Sequence, residues 1–297
     1  AGQNRVSGTS GGVVFEALTF FDIDHFKIDT ATNDGPLADP NDTVTWTADL
    51  VATGLISFTV ETGAGDDVVN AAAVTALGVT LLGGDGDDQL TGGGGNDRLE
   101  GGDGQDTLTG NGGSDTLLGG AEADLLFPGV GVNIVDGGGG LDRVDFSTNS
   151  TSVGIRNSFG AVRIEAGVDL TTMSDVETIH PHLTANGTTL TVDDLAGTAV
   201  SLITPDFTVG GAADTLVVNG SSIADHIGVA REVISGGSNL PVVTTGWGKI
   251  SIGSVGAANG DILRINGLEG DDVIIADDDI TTGSPGSILV TLDGGPG

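Results

Sequence analysis

Between Gly83 and Asp145 the chain repeats every nine residues without a slip. In register the units are GGDGDDQLT, GGGGNDRLE, GGDGQDTLT, GNGGSDTLL, GGAEADLLF, PGVGVNIVD and GGGGLDRVD. Position six holds Asp88, Asp97, Asp106, Asp115, Asp124, Asn133 and Asp142, and position eight holds Leu90, Leu99, Leu108, Leu117, Leu126, Val135 and Val144. Glycines at positions one, two and four permit a tight turn in which backbone carbonyls point inward without a Cβ clash. Carboxylates and carbonyls together suit a hard dication, since calcium takes six to eight oxygens at about 2.3–2.6 Å. The chemistry this spacing supports is calcium binding.

Those groups need elements that stack them. Positions seven to nine read as a short strand whose aliphatic residue at position eight faces inward. Successive turns then lie on opposite sides, so turns eighteen residues apart share an edge. That places Asp88 beside Asp106, Asp97 beside Asp115 and Asp106 beside Asp124, each pair sharing one ion between two turns. The candidate ligand set is Asp67, Asp88, Asp97, Asp106, Asp115, Asp124 and Asp142, with the position-one residues Gly83, Gly92 and Gly101 and the position-three acids Asp85 and Asp103. The array is expected to fade after Asp115. Glu122 stands where glycine belongs, Asn133 replaces the acid, and Leu141 occupies position five of the last unit. Upstream, Thr62–Asn70 (TGAGDDVVN) fits the same template with Asp67 at position six. Twelve residues separate it from Gly83, enough for one irregular half-turn that would bring Asp67 to Asp88.

This block resembles the RTX (repeats-in-toxin) nonapeptide G-G-x-G-x-D-x-U-x of calcium-binding parallel β-helices. The resemblance implies a calcium-dependent β-roll with Ca2+ as its cofactor. It also implies a location outside the cell, because RTX-like proteins commonly leave the cytosol unfolded and fold on meeting calcium.

Composition points the same way. The chain has 42 acidic and 9 basic residues, a net charge of −33 and no cysteine. Such an excess repels nucleic acid and anionic membranes and draws divalent cations. With 53 glycines and high charge the chain could be disordered. A hydrophobic content of 38%, arranged in regular short aliphatic runs, argues for folded β-structure instead. AGQNRVSGTS has no charged-then-apolar signal pattern, and no run approaches the roughly 20 apolar residues of a membrane span. The expectation is therefore a mature product, or a piece excised from something longer.

Everything else reads as strand: VTWTADLV, LISFTV, SVGIRN, AVRIEA, TTLTVDDL, DTLVV, DHIGV, KISIGS, DILRI, DDVIIA and SILVTL recur between Gly/Asn/Asp/Ser turns. At most, Ser174–His180 has room for one helical turn. The fold class is all-β, a parallel roll flanked by sandwich- or solenoid-like modules, with segments 1–61, 62–146, 147–205 and 206–297. Residues 57–86 match 262–297 with a small insertion, which makes Asp272 the counterpart of Asp67 and a further candidate ligand. Gly294–Gly297 read as positions one to four of a nonapeptide, and Ala1–Ser7 as positions three to nine. Subunits joining head to tail through these ends, or the same junction made covalently in a tandem array, would both account for that.

No catalytic constellation emerges. There is no HExxH, and Gly8-Thr9-Ser10-Gly11-Gly12 fits G-x-S-x-G without strand–helix context or a downstream triad. His180-Pro181-His182 reads as a solvated loop rather than a transition-metal site, with no third histidine near it in sequence. Asp22-Ile23-Asp24-His25, Asp39-Pro40-Asn41-Asp42 and Asp277-Asp278-Asp279 are acidic loops, solvated or holding isolated calcium ions. The few aromatics are expected in the cores of the flanking modules. The sequence thus points to a secreted calcium-binding structural protein, a subunit of a filament, surface layer or matrix, and not an enzyme. The alternatives are an adhesin segment that binds carbohydrate, such as a cell-surface polysaccharide, and a non-catalytic part of an RTX exoprotein. Neither nucleic-acid binding nor membrane insertion is expected.

Overall fold

The computed structural model describes residues 4–10, 13–20, 25–30, 41–46, 55–185, 187–207, 214–220, 226–233, 239–245, 249–251, 262–266, 273–276 and 289–293. Every regular element among them is a strand. The chain forms two compact units, Ala1–Val144 and Asp145–Gly297.

The first unit stacks two sheets. One has the order β2-β1-β4-β6-β8-β10-β12-β14, comprising β1 Asn4–Ser10, β2 Val13–Phe20, β4 Thr43–Trp46, β6 Val68–Asn70, β8 Gln89–Thr91, β10 Thr107–Thr109, β12 Leu125–Phe127 and β14 Arg143–Thr148. The other has the order β3-β5-β7-β9-β11-β13, comprising β3 His25–Asp29, β5 Ser57–Ala64, β7 Val79–Asp85, β9 Arg98–Asp103, β11 Thr116–Ala121 and β13 Val132–Gly139. Apart from β1 and its neighbours, the pairings are parallel.

The nine-residue phase sets the register. Leu90 pairs with Leu108 and Leu108 with Leu126 in one sheet; Leu81 pairs with Leu99, Leu99 with Leu117 and Leu117 with Val135 in the other. These two columns of aliphatic side chains are at most 1% exposed, and they are the core that holds the coils in line. The expected border at residues 61 and 62 falls inside β5, whose Val60 pairs with Leu81 of the roll. Val44 of β4 likewise pairs with Val69. Residues on the N-terminal side therefore supply rungs of the same stack.

In the second unit the flank takes the solenoid form rather than the sandwich. One parallel ladder runs β15-β19-β22-β26-β28, comprising Ser152–Ser158, Thr189–Val192, Thr215–Asn219, Ile262–Asn266 and Leu289–Asp293. An antiparallel meander, β15 to β16 (Ala161–Ala166) to β17 (Asp169–Ser174), extends from it. A second sheet contains β18 (Thr178–Leu183), β20 (Leu202–Ile203), β21 (Asp206–Phe207), β23 (His226–Val233), β24 (Asn239–Thr244), β25 (Lys249–Ser251) and β27 (Val273–Ala276). Thr178, Ile179 and His180 are strand, not a helical turn, because Ile179, Pro181 and Leu183 alternate into the core. Phe58, Trp46 and Phe207 are buried as expected, but Phe159 is fully exposed at the β15–β16 turn.

Candidate metal centre

The turn that precedes each short strand ends in the position-six acid, and stacking brings these acids into two lines. On one edge the backbone N–H of Asp42 donates to Asp67 Oδ1, Asp67 N–H to Asp88 Oδ1 at 2.8 Å, and Asp88 N–H to Asp106 Oδ1 at 2.8 Å. Asp106 N–H then donates to Asp124 Oδ1 at 2.8 Å, and Asp124 N–H to Asp142 Oδ1 at 2.9 Å. On the other edge Val79 N–H donates to Asp97 Oδ1, Asp97 N–H to Asp115 Oδ1, and Asp115 N–H to Asn133 Oδ1, all at 2.8–2.9 Å. The eighteen-residue pairing of the acids follows from this geometry, as does the meeting of Asp67 with Asp88 across the irregular half-turn. The two edges are unequal. Among the described residues one carries six acids, whereas the other carries only Asp97 and Asp115, bounded by an apolar residue and an amide.

Each carboxylate commits Oδ1 to the backbone of the preceding coil, so only Oδ2 remains. The Oδ2 atoms of Asp88, Asp106, Asp115 and Asp124 are buried and have no hydrogen-bond partner. Each lies over the position-one residue of its own turn. A Cβ built on Gly83 would collide with Asp88 Oδ2 and lie 2.8 Å from the Gly101 carbonyl oxygen. At Gly110 a Cβ would lie 2.6 Å from both Asp115 Oδ2 and the Pro128 carbonyl oxygen. The same convergence joins Asp106 Oδ2 with the Gly119 carbonyl, and Asp124 Oδ2 with that of Gly137. A carboxylate and a carbonyl, both acceptors, thus approach one point from successive coils, with only a bare Cα beneath them. A buried acceptor without a donor is costly, and a hard cation satisfies both oxygens at once. The residues present fit calcium.

Electrostatics carry the same signature. Burial pushes the carboxyls of Asp88, Asp115 and Asp124 up to about 7, and that of Asp106 up to about 6. The backbone N–H bonds oppose this shift without cancelling it, and neighbouring acids add to it. Asp97 is raised as well, against two N–H bonds from Val79 and Gly93. Among the described residues no three His, Cys, Asp or Glu side chains gather around one point as a metal cluster. Carbonyl oxygens must therefore supply much of the coordination.

The other expected ligands fall into place unevenly. Gly83, Gly92 and Gly101 line the buried row. Asp85 and Asp103 are exposed, and it is their backbone carbonyls that accept bonds, from Gly65 and Gly86 N–H at 2.8 and 2.7 Å. Asp272, Asp277–Asp279, Asp22, Asp24, Asp39 and residues 1–3 and 294–297 lie outside the described residues, while Asn4–Ser7, read as part of a nonapeptide, are strand β1 and pair antiparallel with β2 and β4 rather than as a parallel rung. After Asp115, where the array is expected to fade, Asp124 keeps the geometry of Asp88: its Oδ1 accepts from Asp106 N–H and its Oδ2 lies over Gly119 near the Gly137 carbonyl. Glu122 makes this possible by adopting φ 73, the left-handed backbone that glycine would otherwise take. At Asn133 the free acceptor is replaced by a donor, and Nδ2 donates to the Gly129 carbonyl at 3.2 Å.

Several participants were not legible beforehand. Asp42 belongs to the long edge rather than to an isolated acidic loop, and Asn41-Asp42-Thr43-Val44-Thr45 fits positions five to nine of the template. A second, outer ladder joins position-five side chains. Asp66 Oδ1 accepts from Asp87 N–H at 3.1 Å, Asp87 Oδ1 from Gln105 N–H at 2.8 Å, and Asn96 Oδ1 from Ser114 N–H at 2.8 Å. Far from the roll in sequence, Asp214 is 4% exposed and accepts from Thr188 N–H at 2.7 Å, the same junction in longer coils.

Comparison with known families agrees with the geometry. The family model of the RTX calcium-binding nonapeptide repeat, in four copies, matches residues 80–108 and 109–144. A search of curated proteins returned no match. The chain therefore carries a block of RTX repeats, which bind Ca2+ and occur typically in secreted or extracellular proteins. The matched residues end short of Asp42 and Asp67, which the structure adds to the same row.

Proposed function

We propose that the chain is a secreted, calcium-loaded structural protein whose folding is driven by calcium, serving in an extracellular filament, surface layer or matrix and not as a catalyst. The observation that carries this reading is the row of buried Oδ2 atoms at Asp88, Asp106, Asp115 and Asp124, each facing a turn carbonyl. Each of these carboxylates, with the position-one carbonyl eighteen residues after its own turn's, would hold one ion between coils. The bound ion supplies the positive charge that makes those oxygens tolerable in a dry turn. The chain's own part is to present them in register, through the aliphatic columns and the N–H···Oδ1 ladder. The net charge of −33 supports a partnership with cations and none with nucleic acid. Among the described residues no helix is long and apolar enough to cross a membrane. Head-to-tail association of copies completes the reading, while contact with a cell-surface polysaccharide belongs to the adhesin alternative.

The test compares calcium with EGTA by far-UV circular dichroism and limited proteolysis, then by negative-stain electron microscopy. Calcium should protect residues 62–146 and produce ordered assemblies that chelator disperses. Unchanged dichroism and protease resistance in excess EGTA would reject calcium-driven folding. Absence of assemblies in calcium, with glycan binding instead, would favour the adhesin alternative.

A further inference from the structure

A different kind of metal chemistry is set out on β18. Ile179, Pro181 and Leu183 of this strand are buried, so alternation turns His180 and His182 together onto the outer face. The neighbouring rung meets them in register. His182 pairs with Asp206, and its Nδ1 lies 2.9 Å from Asp206 Oδ2. His180 Nδ1 lies 2.8 Å from Thr204 Oγ1. The acid that sequence spacing hides is therefore adjacent, and His180-Pro181-His182 is strand, not loop.

Both imidazoles are thus gripped through Nδ1 by an oxygen of the next coil, and neither Nε2 has a hydrogen-bond partner among the described residues. At His182, whose partner oxygen is a carboxylate, this is the pattern of a metal-ligating histidine, and at His180 it is the same pattern when Nδ1 donates to the Thr204 hydroxyl. Donation of Nδ1–H to a carboxylate or other oxygen fixes the neutral tautomer, orients the ring and leaves the Nε2 lone pair for a metal. Pro181 between them has a fixed φ, and its buried ring ties the backbone down, so little freedom remains to be lost when both rings are held. We propose that His180 and His182 form a two-nitrogen site for a borderline divalent transition metal, Zn2+, Ni2+ or Cu2+, with Asp206 and Thr204 as the orienting partners. Imidazole suits these ions, whereas calcium takes oxygen. The site is therefore orthogonal to the roll, and the two metals need not compete. The net charge of −33 draws divalent ions to the chain as a whole.

The experiment titrates Zn2+ by calorimetry into the full chain saturated with Ca2+, comparing wild type, a His180→Gln/His182→Gln double variant and Asp206→Asn, with dichroism confirming the fold of each. Wild type should bind one more Zn2+ than the double variant, and Asp206→Asn should weaken that site about tenfold or more. Co2+ in place of Zn2+ should give a visible ligand-field spectrum that the double variant lacks. Zn2+ binding of equal number and affinity in the double variant would place the ion on carboxylates and overturn the proposal. Unchanged affinity in Asp206→Asn would overturn the orienting role given to that carboxylate.

Discussion

Replacing Asp106 by asparagine should act with opposite sign in the presence and absence of calcium. The substitution keeps Oδ1 as acceptor for Asp88 N–H and exchanges the partnerless Oδ2 for an amide NH2. The chain already contains that arrangement, since Asn133 Oδ1 accepts from Asp115 N–H while its Nδ2 donates to a turn carbonyl. Without metal, burial raises the Asp106 carboxyl to about 6 from an ordinary 3.8. The folded state then holds its proton more tightly than the unfolded one, so ionisation at pH 7 costs the fold at most about 3 kcal/mol. Asparagine removes that cost. In EGTA at pH 7 the midpoint of osmolyte-induced folding should move to lower trimethylamine N-oxide for Asp106→Asn, and at pH 4 the two proteins should coincide. In calcium the order should invert, with the variant binding fewer ions and melting lower. A variant that needs more osmolyte than wild type in EGTA, or that keeps full calcium stoichiometry, would refute the assignment of Oδ2 as a ligand.

Other outcomes follow from the same geometry. In chelator the roll should lose stability as pH rises from about 4 to about 7, because carboxyls raised from 3.8 to about 6–7 make the folded state the stronger proton binder; osmolyte midpoints at pH 4.5 and 7.5 test this, and calcium affinity should fall on acidification through the same range. Gly101→Ala would drive a Cβ against Asp106 Oδ2 and toward the Gly119 carbonyl, and should lower both calcium affinity and calcium-loaded stability, the latter by about 1–3 kcal/mol in urea unfolding. Leu108→Ala, at a side chain with no exposure, should cost about 2–5 kcal/mol by the same assay. Phe159→Asn should raise the melting temperature, since Phe159 is fully exposed at φ 57 before Gly160 at φ 90, where Asn-Gly relieves about 1 kcal/mol of backbone strain.

The roll was legible because its period is strict. A residue every nine positions meets its counterpart every eighteen, so the sequence alone stacks Leu90, Leu108 and Leu126, and with them Asp88, Asp106 and Asp124. Features that break phase were not legible. Asp42 sits in a unit that has lost its glycines, and Val79 takes the acid's place in the half-turn between Asp67 and Gly83. The second unit hides its registers for the same reason. Thr188 and Asp214 are 26 residues apart, whereas Asn219 and Asn266, joined at 2.8 Å, are 47 apart. With coil lengths so unequal, no period reveals that His182 will face Asp206 or that Asp214 will cap Thr188.

One coil of the roll sets two opposing quantities against each other. Each nine residues bury one aliphatic side chain, Leu90 or Leu108 for example, contributing about 1.5–3 kcal/mol. Most of them also bury one carboxylate, which at neutral pH without a cation costs at most about 4 kcal/mol where the carboxyl is raised to about 7. The two are comparable, so the apolar column alone leaves little to order the glycine-rich turns, whose backbone entropy cost is high. A cation between coils reverses the sign of the carboxylate contribution while leaving the column intact. Because Oδ1 of Asp88, Asp97, Asp106, Asp115 and Asp124 is bonded to one coil and Oδ2 faces a carbonyl of another, none of these sites can form without the neighbouring coil. On the proposed reading, calcium binding and coil stacking are then one cooperative event, and the transition should sharpen along the six-acid edge more than along the two-acid edge. Pairwise substitution makes the difference measurable. Asp88→Asn with Asp124→Asn should flatten the calcium-dependent folding curve more than Asp97→Asn with Asp115→Asn, and equal flattening would show that the two edges act as one.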